Sequence, residues 1–190
     1  GQNLRFENDN EYAFFPLDDS GDLKIWVHGD DNLVFMNGTG SGTTRMNIDG
    51  SGRVTTPSQP SFKAYRQSGW NSFGNTNNNL MPLNSTTHNV GSHYDTTNYK
   101  FTAPVAGTYF FGAQMYSDGT NWGEILIRVN GSTVQAYANA RPQSVTVTAS
   151  QVIQLAASDY VELLGRVSNT DSNDWYGTKE YTYFMGHLLG

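Results

Sequence analysis

The 190-residue chain contains no cysteine, so packing or association, and not covalent cross-linking, must hold it together. Charge is sparse too, at 15% of residues. The eleven Lys and Arg are scattered, which excludes the clustered cationic patch that displaces counterions from a nucleic-acid backbone. A net charge of −6 disfavours an anionic membrane surface. No window approaches the ~20 consecutive apolar residues of a membrane-crossing helix, so no membrane insertion is expected. No basic-then-apolar leader opens the chain, and Gly1 in first place points to a piece of a longer protein. A sustained apolar period near 3.6 is also missing, so helices are not expected.

What the chain does hold is aromatic. With 11 Tyr, 10 Phe and 4 Trp it reads as folded, because disordered chains are poor in such residues. Much of the remainder is Asn, Ser, Thr and Gly, and polar uncharged surface with aromatic and β-branched residues favours strands.

Short apolar or alternating runs recur, broken by turn residues. In residues 1–56 they are Leu4–Phe6, Tyr12–Phe15, Leu23–Val27, Leu33–Met36, Arg45–Ile48 and Arg53–Thr55. Turn clusters such as Asp18-Asp19-Ser20-Gly21 and Asp49-Gly50-Ser51-Gly52 separate them at the rhythm of successive hairpins. This region has few large apolar residues, so it is expected to close its core against copies of itself or against residues 61–190. An ordinary half of a small β-sandwich is the alternative. Thr56-Pro57-Ser58-Gln59-Pro60 reads as a stiff boundary, with residues 57–60 as linker.

Residues 61–190 carry strand-like runs at Ser61–Arg66, Leu80–Leu83, His88–Val90, Tyr99–Thr102, Thr108–Tyr116, Glu124–Asn130, Thr133–Ala140, Ser144–Ala149, Gln151–Ala156, Tyr160–Val167 and Glu180–Leu189. Asn130-Gly131 is the pair that two-residue hairpin turns select, since both positions tolerate positive φ. The predicted fold class is all-β: an antiparallel ten-stranded jelly-roll sandwich head, preceded by a small hairpin-rich, shaft-like region.

Motifs for chemistry are missing. No Gly-x-Ser-x-Gly elbow, phosphate loop or zinc-type His/Cys spacing occurs. The glycines at 38, 40 and 42 lack the following helix that phosphate cradling needs, and read as a flexible turn. His88 and His93 fall on opposite faces of a strand, with no third ligand nearby. Asp118, Asp171 and Asp174 lie in polar loops, where hard oxygen ligands can hold calcium. No complete calcium loop is present, so these acids read as solvated, with calcium as the alternative and no cofactor expected. Trp70, Trp122, Trp175 and Tyr176 sit among Asn, Asp and Gly. Such rings suit flat sugar faces or a protein interface, and they are the candidate ligand-binding residues, with partial burial as the bland alternative. Asn37, Asn84 and Asn130 match the glycosylation acceptor pattern, as chance allows in a chain of this composition.

One stretch is more specific. Tyr94-Asp95 is followed, after a turn-rich segment, by Phe101-Thr102-Ala103-Pro104, then Gly107, Tyr109 and Phe111. Phe101, Tyr109 and Phe111 alternate toward one face, as a core-filling sheet requires. Pro104 fits only where no ladder donor is needed, and Gly107 frees the turn into the next strand. Later, ILIRVNGSTV (Ile125–Val134) reads strand, turn, strand, and SQVIQLAASDYVEL (Ser150–Leu163) reads as paired strands around Ser158-Asp159. Phe184, Leu188 and Met185 of YFMGHLL (Tyr183–Leu189) are expected to close the core.

Together these residues resemble the signature of the globular heads of complement component one-q, in the complement and tumour-necrosis-factor jelly-roll superfamily, over roughly 61–190. Ser158-Asp159 stands where that family has Gly-Asp. The resemblance implies a homotrimer packed about one axis through an apolar face, and a binding module without enzymatic activity. Some heads of that family bind calcium near the axis. Residues 45–62, from Arg45-Met46-Asn47-Ile48 through Asp49-Gly50-Ser51-Gly52 to Pro60-Ser61-Phe62, resemble the shaft-to-head passages of bacteriophage tail fibres. That implies the receptor-binding tip of a virion appendage, with a host-surface glycan or protein as partner. The alternatives are a secreted or cell-surface recognition protein, located outside the cell, and a glycan-cleaving tip enzyme built on paired carboxylates.

Overall fold

The computed structural model describes residues 7–8, 11–12, 25, 27, 30–39, 42–73, 77–117, 122–140, 145–167 and 174–190. Among them there is no helix. The chain divides into two units, Gly1–Ser58 and Gln59–Gly190.

In the first unit, β1 (Glu7–Asn8) pairs with β2 (Glu11–Tyr12). Strands β3 (Leu33–Asn37), β4 (Thr43–Ile48) and β5 (Val54–Thr55) form an antiparallel sheet in that order. The β4–β5 turn is held by Asp49, whose Oδ1 accepts from the backbone N–H groups of Ser51 (2.9 Å) and Arg53 (3.0 Å). Those bonds and the Arg53 guanidinium hold the Asp49 carboxyl below its ordinary range. None of the described residues from 25 to 58 is buried, and Ile25, Val34, Phe35, Met36 and Val54 are exposed. The run Leu4–Phe6 lies outside the described residues.

Among its described residues the second unit holds thirteen strands, β6 to β18. One sheet runs β7 (Trp70–Asn71), β17 (Trp175–Tyr176), β12 (Gly107–Ser117), β18 (Tyr183–Leu188), β6 (Ser61–Tyr65), β9 (Ser85–Val90), with β15 (Val145–Leu155) on the other edge of β12. The second sheet runs β10 (Tyr94–Asp95), β11 (Lys100–Thr102), β16 (Tyr160–Val167), β13 (Gly123–Val129), β14 (Thr133–Ala140), with β8 (Asn79–Leu80) also on β16.

Several expected strands shift in detail. The runs Ser144–Ala149 and Gln151–Ala156 form the single strand β15, because β12 pairs with it from Gly107↔Leu155 to Ser117↔Val145. The two-residue strands β7, β10 and β17 are too short to show an alternation in sequence. Residues 180–182 are turn, and the last strand starts at Tyr183.

Between the sheets lies an aromatic core. Phe62, Phe101, Tyr109, Phe111 and Phe184 are each at most 1% exposed, with Tyr94 beside them. The Phe62 ring is 4.9 Å from Tyr94, 5.1 Å from Phe101, 6.4 Å from Phe111 and 5.1 Å from Phe184. Each buried phenol finds a carbonyl: the Tyr109 hydroxyl donates to Val105 (2.8 Å) and that of Tyr94 to Leu83 (3.3 Å). Burial pushes both phenols above their ordinary range. Phe184 takes the expected core place, but Met185 does not. It follows Phe184 on the strand and therefore faces the other side of the sheet.

The turns account for the polar letters of the signature. Asp95 Oδ1 accepts from the N–H of Thr97 (2.7 Å) and Asn98 (3.0 Å), closing the turn into β11. Asn130 and Gly131 have φ of 51° and 71°, the positive values expected of that pair, but Val129 pairs with Thr133, so the loop holds three residues and not the expected two. Ser158 has φ 73°, which is left-handed and strained for a residue with a Cβ. Serine thus occupies a backbone conformation that favours glycine. Ser158→Gly is therefore expected to stabilise the head by up to ~1 kcal/mol, read as a higher urea midpoint at unchanged slope. A lower midpoint would refute it.

Candidate functional site

At one end of the first sheet four aromatic rings form a closed circuit. Trp70, Tyr176 and Tyr116 occupy one cross-strand rung, as direct partners on β7, β17 and β12. Their strand neighbours Trp175 and Ser117 are 0% exposed and face the core, so the rung faces outward. Ring centroids are 5.0 Å apart for Trp70–Tyr176 and 6.0 Å for Trp70–Tyr116. Tyr181, from the turn before β18, completes the circuit at 5.4 Å from Tyr116 and 5.1 Å from Tyr176.

Local hydrogen bonds set this arrangement. The buried Thr182 hydroxyl donates to the Tyr176 carbonyl (2.6 Å) and accepts from the Tyr116 N–H (3.2 Å). The Gln114 carboxamide donates to the carbonyl of Tyr181 (3.0 Å) and that of Glu180 (3.2 Å). Gly177 has no room for a Cβ against the Ser68 carbonyl, and its N–H donates to the Gly69 carbonyl (2.8 Å). Trp70 and Tyr181 remain 41% and 46% exposed, so the circuit is open to solvent.

Farther along the same outward face lies an apolar area. Phe110, Tyr183 and Met185 face outward, with Val152 exposed on β15. Gly112 sits opposite Met185, and the missing side chain leaves a hollow of about 200 Å³ lined by Phe110, Thr148, Ser150, Tyr183 and Met185. Lys63 Nζ lies 4.2 Å above the centre of the Tyr183 ring.

The second sheet's outward face carries two ion pairs, with Leu126 and Leu164 between them. Arg166 Nε donates to Glu124 (2.6 Å), and Arg128 Nη2 donates to Glu162 (2.9 Å). The Tyr137 hydroxyl donates to Glu124 Oε1 (2.5 Å), and the Trp122 ring lies 5.1 Å from the Arg166 guanidinium carbon. Glu124 pairs across from Arg166 and Arg128 from Glu162, so the two carboxylates stand four residues apart along the sheet. That is ~13 Å, wider than the ~5–10 Å separating the acids of a glycosidase, and each carboxylate is held by its own Arg.

A family model for the C1q domain matches residues 61–189. The chain belongs to the C1q domain family. Solved structures share the fold. The globular domain of zebrafish complement 1qA protein superposes with TM-score 0.54 at 16% identity, covering 70% of this chain and 98% of that one. Murine APRIL gives TM-score 0.52 at 10% identity, covering 69% and 99%. The Eiger TNF of S. frugiperda gives 0.51 at 11%, covering 70% and 94%. The C1q domain of this chain is accordingly an all-β jelly roll, in a family of recognition heads.

The four candidate ligand-binding residues separate within the C1q domain. Trp70 and Tyr176 come together in the aromatic circuit, joined by Tyr116 and Tyr181, which the sequence pattern did not single out. Tyr116 had a usable signal, as the outward end of the alternation Phe110, Gly112, Gln114, Tyr116. Trp122 lies beside Arg166 on the second sheet's outward face, and Trp175 is 0% exposed in the core. Of the three candidate calcium ligands, Asp118 and Asp171 lie outside the described residues. Asp174 is buried, and its Oδ2 accepts from the Phe73 N–H (2.7 Å) and the Ser72 hydroxyl (3.0 Å), fixing the approach to β17. Among the described residues no three His, Asp or Glu converge as metal ligands.

Proposed function

We propose that this chain is the non-enzymatic, homotrimeric receptor-binding tip of a virion appendage, attaching to a host-surface glycan or protein. The observation that carries the trimer is the outward face around Phe110, Tyr183, Met185 and Val152. A contiguous apolar face of this kind on a two-sheet head calls for a partner, and closed symmetry supplies two more copies of the same chain. The first unit supports the same reading, since its exposed Val34, Phe35 and Met36 find no core among its own described residues. The shaft-like pattern of residues 45–62 is what favours a virion appendage. Three weak sites on one rigid body then act together, and avidity replaces high single-site affinity.

Light scattering of the purified chain tests the assembly. A mass near three times 21.0 kDa, unchanged by a chelator, is expected of a trimer held by packing. A single-chain mass would overturn the reading, and dissociation on chelation would replace packing by an axial metal. Fluorescent trimer should then decorate intact bacteria and compete with phage adsorption.

Membership of the C1q family favours a second reading, a secreted or cell-surface recognition protein. Decoration of animal cells and not of bacteria would select it.

A further inference from the structure

We infer that the aromatic circuit of Trp70, Tyr116, Tyr176 and Tyr181 is a binding site for a neutral saccharide. The inference rests on the proposed attachment role and assigns it a place and a ligand chemistry.

Position comes first. The chain enters the head at Pro60, whose carbonyl accepts from the Leu188 N–H (3.0 Å), and β12 begins beside it, with Tyr109 opposite Leu188. Tyr116 lies seven residues farther along β12, ~23 Å from Tyr109. The circuit therefore occupies the end of the sheet remote from chain entry, where an attachment head meets its target.

Chemistry comes second. Each ring offers an apolar face with a polar tip. The hydroxyls of Tyr116, Tyr176 and Tyr181 and the Trp70 indole N–H make no hydrogen bond among the described residues. Flat apolar surface edged by unsatisfied donors matches a pyranose, whose C–H faces stack on rings while its hydroxyls take hydrogen bonds. The rings are also held before any ligand arrives, by their mutual contacts and by Thr182 and Gln114. Prior ordering lowers the entropic cost of binding.

Charge selects the class of sugar. No ionised side chain belongs to the circuit. The neighbouring Lys179 and Glu180 pair with each other (3.8 Å), and Arg66 donates to the Ser68 hydroxyl (3.3 Å) and the Pro82 carbonyl (3.4 Å). With a net charge of −6 on the chain, and the one cation of this pairing, Lys179, set beside an acid, sialylated and sulfated glycans are disfavoured.

The test uses the full chain on an array of neutral hexose and N-acetylhexosamine oligosaccharides beside sialylated and sulfated ones. Binding to neutral saccharides is expected, and Trp70→Ala and Tyr181→Ala should each weaken it about tenfold or more. The solution mass of both variants should stay that of the parent. Both positions are well exposed, so neither variant threatens the fold. Trp70→Phe, which keeps a ring, should retain more binding than Trp70→Ala. The inference is overturned by binding confined to acidic glycans, by variants that bind like the parent, or by variants that lose the parent mass, which would make the circuit a subunit seam. An empty array with cell decoration intact overturns the saccharide site alone and leaves a protein receptor. An empty array with no cell decoration removes the attachment role as well.

Discussion

Phe62→Ala is expected to cost about 3–5 kcal/mol, the range for deleting a buried aromatic ring. Phe62 is 1% exposed and touches rings from both sheets, Phe111 and Phe184 on its own and Tyr94 and Phe101 on the other. Its loss removes ring contacts from four partners at once, in a region where β6 is tied to β18 on one side and β9 on the other. Domains of this size are stable by about 5–15 kcal/mol, so the variant loses a large share of the total. The measurement is urea unfolding at fixed chain concentration, because the proposed association would contribute to apparent stability. Val105→Ala, at a residue 47% exposed, is the control and should stay within about 0.5 kcal/mol of the parent. Equal midpoints for Phe62→Ala and the parent would show that the rings do not form one cooperative core.

The contrast between Phe62 and Trp175 shows how much of this molecule is legible in its sequence. Long strands announce themselves. Phe101, Tyr109 and Phe111 share one face because their spacing is even, and no tertiary information is needed to see it. Asp95 is equally local, since its carboxylate serves its own turn, whereas the Asn130 side chain also reaches Asp159 and Tyr160 on another loop. Two-residue strands carry no such pattern. Whether Trp175 or Tyr176 faces the core depends on their pairing with Ser117 and Tyr116, more than fifty positions away. The composition around both is alike, so polar surroundings alone read both as ligand contacts. Met185 misleads for a related reason: its apolar character suits a core and an outward apolar face equally, and only the parity set by Phe184 decides. The aromatic circuit draws on three separate stretches of sequence, near 70, 116 and 176–181. Half of it is visible as isolated rings in loops, and the other half only as the end of a strand and a turn.

The parity of Met185 leads to the largest expected change in assembly. Phe110→Glu combined with Met185→Glu should convert the proposed trimer to single chains, lowering the mass from near three times 21.0 kDa to 21.0 kDa. Both positions face outward around Gly112, so the new carboxylates meet water in an isolated head and the core is untouched. In a symmetric assembly the same carboxylates are buried in every copy, and an unpaired buried charge costs several kcal/mol each time. The double variant should therefore still unfold cooperatively while failing to associate. If it keeps the parent mass, this face is not the seam. Dissociation also separates the affinity of one site from the avidity of three. The single head should still respond to a neutral saccharide through Trp70 and Tyr181, at the weak affinity of one site. Attachment to a surface, which depends on several sites engaging together, should fall by about 10²–10⁴-fold. Equal attachment by single chains and trimers would mean that one head suffices, and the trimer would then need another explanation than multivalent binding.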